Sequence, residues 1–228
     1  YPIISLFGKL FSYAAPGAGG FAVNLLSAFA AAGAIALSFR LLRRMPMRIE
    51  TALLGAATLA TSRLFWEQAV QAEAYSLNFF FLILSLNIVW GMDGTRGDAR
   101  RFAALGAVSA LGMVNHYSMA LALPVIGLFI LWTRRRSLGF VLKWLAPAAM
   151  AAAVGFSITM YLPARSAAGP AINWDDQTTV SGFFSHLKGV DRRTENPRVA
   201  FSEKIRFARD YGWRLWRERT PALLLLLP

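Results

Sequence analysis

The chain has no cysteine, only two histidines and half as many acidic as basic residues, 12 against 24. Without cysteine there is no disulfide scaffold, no thiolate nucleophile and no thiolate zinc site. His116 and His186 stand too far apart in sequence to suggest a local metal-ligand pair, so neither a metal nor a cofactor is expected. Charge is scarce overall. Charged residues make up 16% of 228 residues while 56% are hydrophobic, a balance that excludes an ordinary soluble domain.

What is present fits lipid as the solvent. Long apolar runs carry seven Trp and seventeen Phe, and the net charge of +12 collects beside those runs. Arginines at the edges of apolar spans set orientation and meet anionic headgroups, so no nucleic-acid partner is expected.

Residues 3–12 place Ile3, Ile4, Phe7, Leu10 and Phe11 on one helical face, which predicts an outer interfacial helix over 1–18 with Lys9 as its anchor. A six-span transmembrane region is predicted over 19–162. Its first span runs from Phe21 to Phe39 and ends in Arg40, Arg43, Arg44 and Arg48, a cytoplasmic signature. Two spans fit residues 52–92, joined by the polar patch from Arg63 to Glu73. Two shorter ones fit Phe102 to Trp132, with a turn at Asn115, His116 and Tyr117, and Phe140 to Leu162 crosses outward. Residues 163–220 form an extracytoplasmic loop, and 221–228 begin a seventh helix. The chain opens on Tyr1-Pro2 and stops within an apolar run, which reads as a fragment.

This threading gathers the unusual polar residues on the outer side: Glu67, Glu73, Asn115, His116, Arg165, Asn173, Trp174 and Asp175. A helix over 65–77 would carry Glu67 and Gln71 on one face and Glu73 on another, either as a solvated helix end or as a functional surface. His116 suits a hydrogen-bonded structural role or a general base. Arg165 can pair with lipid phosphate or hold a substrate phosphate through two oxygens. Asn173, Trp174 and Asp175, with Asp176, suit recognition of a hydroxyl-rich ring, and also suit an Asx turn.

The stretch Phe65-Trp66-Glu67-Gln68-Ala69-Val70-Gln71-Ala72-Glu73-Ala74-Tyr75-Ser76-Leu77 resembles the membrane family of domain-of-unknown-function 2723, which includes transmembrane protein 260-type O-mannosyltransferases. Tyr1-Pro2, Gly8-Lys9-Leu10-Phe11, Val23 to Ala28, Asn115-His116, Leu162 to Arg165 and Asn173 to Asp175 extend the resemblance over most of the chain. The resemblance implies an all-α, polytopic bundle of glycosyltransferase C type. It implies an enzyme that moves a sugar from a polyprenyl-phosphate donor to a protein or glycan acceptor hydroxyl on the extracytoplasmic face, and the use of Arg over Lys with abundant Ala points to a bacterial inner membrane. It also implies a catalytic acid in an Asp-Ser-Gly-Glu-like motif upstream of Tyr1, so the catalytic residue itself is unassigned here.

Two other readings stand beside this one. A transporter or flippase for a lipid-linked or anionic solute also needs polar residues between spans, but the midspan segments carry almost no charge and show no repeat. A non-catalytic membrane scaffold is the third.

The short-loop arginines predict that 40–48, 93–101 and 134–139 face the cytoplasm while 163–220 lies outside. Because the chain has no native cysteine, single cysteines test this directly. With an impermeant thiol reagent on intact cells, Ser181→Cys should label and Ser137→Cys should not; the reverse pattern would invert the topology.

Overall fold

The computed structural model describes residues 2–92, 98–133, 138–169 and 177–188, together with 202–203, 205–210, 212–213 and 217. Among them every regular element is helical. In order they are α1 (Pro2–Ala14), α2 (Gly19–Arg44), α3 (Ile49–Ala60), α4 (Arg63–Ala69), α5 (Ala74–Trp90), α6 (Asp98–Asn115), α7 (Met119–Thr133), α8 (Leu138–Lys143) and α9 (Leu145–Phe156). A 3₁₀ turn (Ser157–Met160), α10 (Tyr161–Ala167) and α11 (Val180–Lys188) follow. The chain divides into two compact units, Tyr1–Tyr161 and Leu162–Pro228.

At 26 residues, α2 is about 39 Å long, more than the roughly 30 Å of a bilayer's hydrocarbon core. Two helical runs are long and apolar enough for one crossing, Gly19–Arg44 and Leu145–Ala167; the pair α4 and α5, bent by 110°, makes a third if taken as one broken span. Phe21, Leu25 and Phe29 recur every fourth residue of α2 and are exposed, as are Leu121, Val125, Leu128 and Trp132 along α7. Apolar stripes of this kind face lipid. This is a membrane protein.

Small residues decide the packing. The buried face of α2 is Ala22, Ser27, Ala30, Ala31 and Ala34 with Leu41, so neighbouring backbones approach closely where no hydrophobic drive separates helix from lipid. A Cβ on Gly33 would stand 2.9 Å from the Phe80 ring of α5, and one on Gly8 of α1 would stand 2.8 Å from Val23 of α2.

Along α1 the packing divides the apolar face. Ile4 and Gly8 are buried, whereas Phe7 and Leu10 are exposed. The smallest residue, rather than the apolar face as a whole, selects the side that meets α2.

One core joins Ile4, Ala30, Ala74, Leu77 and Phe81. A second joins Val89, Met92 and Phe102 to Met119, Ile126 and Ile130. Between them α5 reaches from one cluster to the other. The tightest approach is α6 on α9, where a Cβ on Gly106 would run into the Ala148 carbonyl.

Gly106→Val should therefore force these two helices apart, at a cost of about 1–3 kcal/mol or more. Gly127→Ala should be silent, because nothing lies within 4 Å of the added atom. Thermal midpoints in detergent compare the two; equal values would remove Gly106 from the packing argument.

Candidate functional site at the corner between two helices

The polar patch at 63–78 does not form one helix. α4 stops at Ala69 and α5 starts at Ala74, so the expected helix over 65–77 is broken in its middle. The backbone of Glu73 is extended, at φ −119° and ψ 160°. No glycine or proline marks the break; side-chain hydrogen bonds from Ser76 and Asn115 flank it.

The C-terminal end of a helix leaves carbonyls without intrahelical partners. At the end of α4 the Gln68 carbonyl accepts the Ser76 hydroxyl at 2.8 Å, and the Trp66 carbonyl accepts the Val70 amide at 3.2 Å. The Ala74 carbonyl, at the start of α5, accepts the Asn115 side-chain amide from α6 at 2.8 Å. Asn115 is 1% exposed, so this bond is shielded from water and strong for its kind.

The next residues extend the network. α6 ends at Asn115 and α7 begins at Met119, which places the expected turn between two separate helices. In it, His116 Nδ1 accepts the Ser118 backbone N–H at 3.2 Å, and the Ser118 hydroxyl lies 2.7 Å from the same nitrogen. Since Nδ1 accepts, a neutral His116 carries its proton on Nε2. The Ser118 hydroxyl in turn accepts from Asn78 Nδ2 at 3.1 Å. His116 stacks on Tyr117 with ring centroids 4.7 Å apart and meets the Tyr75 ring at 5.4 Å. Its orientation is thereby fixed from several directions.

At this corner the buried side-chain carbonyl oxygens of Gln68, Asn78 and Asn115 have no hydrogen-bond partner among the described residues. Each can accept a hydroxyl or a water. Glu73 takes the first position before α5 without capping it through its side chain. Its half-buried carboxylate makes no hydrogen bond or ion pair among the described residues.

The expected residues separate into four groups. Glu73, Asn115 and His116 come together at this corner. Glu67 points elsewhere, into a 2.8 Å ion pair with exposed Arg63 one helical turn away, a surface contact of small energetic weight. Arg165 is half-buried in α10, within the other compact unit. Asn173, Trp174 and Asp175 lie outside the described residues. The sequence reading missed Gln68, Ser76, Asn78 and Ser118. An asparagine inside an otherwise apolar helix is itself a signal, since such groups demand partners, and Asn78 carries it. Among the described residues no group of three His, Asp or Glu side chains is placed to hold a metal ion.

Residues 1–139, which include the entire corner, match the family model for the protein O-mannosyl-transferase TMEM260 N-terminal domain. The chain belongs to that family. Protein O-mannosyl-transferase TMEM260 of Mus musculus is 30% identical to it over 192 residues, covering 82% of this chain and 27% of the mouse protein. The chain thus spans about a quarter of that relative's length. No solved structure matches it.

Asn115→Leu keeps the volume and removes the donor to Ala74. The buried carbonyl then loses its side-chain partner, which should cost about 1–3 kcal/mol. A lowered thermal midpoint with intact helical circular dichroism is the expected result. An unchanged midpoint would show that the corner holds without this bond.

Proposed function

We propose that the chain forms part of an integral membrane glycosyltransferase that moves mannose, or a similar sugar, from a polyprenyl-phosphate donor to an acceptor hydroxyl on a protein or glycan. The observation that carries this reading is family membership across residues 1–139, over a segment whose helix break groups Glu73 with the Asn115–His116 turn. The proposed arrangement is a glycosyltransferase C-like bundle of six spans and the start of a seventh, with its active face outside the cytoplasm of a bacterial inner membrane.

The reaction explains why such residues are useful. The acceptor oxygen bonds to the sugar's anomeric carbon, the carbon–oxygen bond to the phosphate breaks, and polyprenyl phosphate leaves. A carboxylate takes the acceptor's proton, a cation stabilises the departing phosphate, and acceptors of hydroxyl hydrogens orient the sugar. Glu73 and His116 are proposed to contact the sugar or the acceptor. Asn115, whose amide is engaged by Ala74, holds that pair in place. Arg165 is proposed to bind the donor phosphate through two oxygens, and Asn173, Trp174 and Asp175 to bind the sugar. Glu67, committed to Arg63, supports the rim.

A transporter reading draws on one observation, the 110° bend of the α4 and α5 pair, since broken helices also line transport sites. Turnover separates the two. In membranes containing the full-length protein, Glu73→Gln should lower mannosyl transfer from polyprenyl-phosphate mannose at least about tenfold while the protein's level and thermal midpoint hold. Undiminished transfer by Glu73→Gln would return Glu73 to a structural helix end. Failure of the wild-type protein to transfer sugar from any polyprenyl-phosphate donor, with substrate movement across the bilayer instead, would favour the transporter.

A further inference from the structure

At the other end of α5 the chemistry reverses, from neutral amides to guanidinium groups. α2 delivers Arg40, Arg43 and Arg44 to this end in its last turns, and α6 delivers Arg100 and Arg101 in its first. Arg44 Nη1 donates to the Asn87 carbonyl at 2.9 Å, and the Trp90 indole N–H donates back to the Arg44 carbonyl at 3.3 Å. Asn87 is itself clamped, its amide donating to the carbonyls of Leu37 and Ile83, each at 3.0 Å. Arg101 Nη1 donates at 3.0 Å to Asp98, a carboxylate with no exposure at all. The Arg101 Nε lies 3.6 Å from where a Cβ on Gly91 would stand, over the last turn of α5. Arg40 and Arg101 both lie within electrostatic reach of Arg44.

Repulsion would ordinarily drive exposed like charges apart. Here the fold commits Asn87 and a fully buried carboxylate to holding two of them at one helix end. Among the described residues Arg40, Arg44 and Arg101 gather beside the Asp98 carboxylate, and a planar fork of N–H donors is matched by phosphate oxygens.

We propose that Arg40, Arg44 and Arg101 form a binding site for the phosphate of an anionic phospholipid headgroup. The lipid source follows from placement. α2 is long and apolar enough to cross a bilayer, and these arginines stand at or beside its end. Trp90, stacked on Phe129 with ring centroids 6.0 Å apart, supplies the aromatic surface that prefers the headgroup level. The site is separate from the corner at Glu73 and His116 and stands whether or not that corner transfers sugar.

The test uses full-length protein in a neutral detergent, titrated with phosphatidylglycerol, phosphatidylcholine or inorganic phosphate, with bound molecules counted by native mass spectrometry. Phosphatidylglycerol should bind in preference to both others. Arg40→Gln removes an exposed member of the cluster and should weaken that binding about fivefold, the weight of one basic residue near a headgroup, whereas Arg40→Lys should keep most of it. Arg48→Gln removes the same charge from a residue that faces Glu50 at 3.5 Å and should have much the smaller effect. Thermal midpoints without lipid confirm that each variant is folded. Equal weakening by Arg40→Gln and Arg48→Gln would reduce the effect to net charge and overturn the site. So would phosphatidylcholine binding as well as phosphatidylglycerol, or inorganic phosphate displacing the lipid at equal concentration.

Discussion

The hydrogen bond from the Asn115 amide to the Ala74 carbonyl is the constraint on which the upper part of the first unit depends. It joins the last residue of α6 to the first residue of α5, and so fixes where one helix ends and another begins. The turn that follows Asn115 then has only a short reach before α7 starts at Met119. His116 is consequently delivered beside Tyr75. A helix break in a lipid-facing bundle is tolerated only where protein groups satisfy the backbone. Ser76 does this for the Gln68 carbonyl at the end of α4, and Asn115 adds a side-chain donor to the Ala74 carbonyl in the first turn of α5, without a proline or glycine at the corner.

The corner also needs rigid helices behind it. Ala74 is fully buried, and it shares a core with Ile4 of α1, Ala30 of α2 and Phe81 one face further along α5. Those helices approach closely because their contacts are alanine, serine and glycine. In a bilayer, dispersion between well-fitted surfaces replaces the hydrophobic effect as the source of association. The exposed Phe21, Phe29 and Leu121 cost nothing in that solvent, and they leave the small residues to do the packing.

Much of this was legible in the sequence because it depends on short-range chemistry. Apolar composition announces lipid, and the glycines at 17–20 and the Asn115–His116 pair between apolar runs announce helix ends. The break at 70–73 was illegible for the opposite reason. Val70, Gln71, Ala72 and Glu73 are compatible with helix, and the groups that stop it, Ser76 and Asn115, act from eight and from 41 residues away. Which residues of α1 meet α2 was illegible because periodicity weighs side chains by hydrophobicity, whereas close helix approach selects the small Gly8. The chain's membership in a family of O-mannosyl-transferase domains gave the resemblance its footing without fixing any of these contacts.

α5 itself illustrates how charge and structure are partitioned. Its first turn carries uncharged hydrogen-bonding groups, Tyr75, Ser76 and Asn78; its last meets Arg44 and Arg101. The macrodipole favours this order, since cations are stabilised at a helix C-terminus and repelled from its N-terminus. A carboxylate such as that of Glu73 is therefore suited to the N-terminal end, where an arginine would be less so. Lipid between the two ends forbids an ionic link through the middle, and Ser85 and Asn87 are the polar groups that remain buried there. Asn87 satisfies its side-chain amide by donating twice to backbone carbonyls, and its backbone carbonyl accepts from Arg44, while its side-chain oxygen stays without a partner among the described residues. The same residue that pins α5 to α2 thus also places the guanidinium, so the position of the charged end follows from helix packing rather than from charge itself.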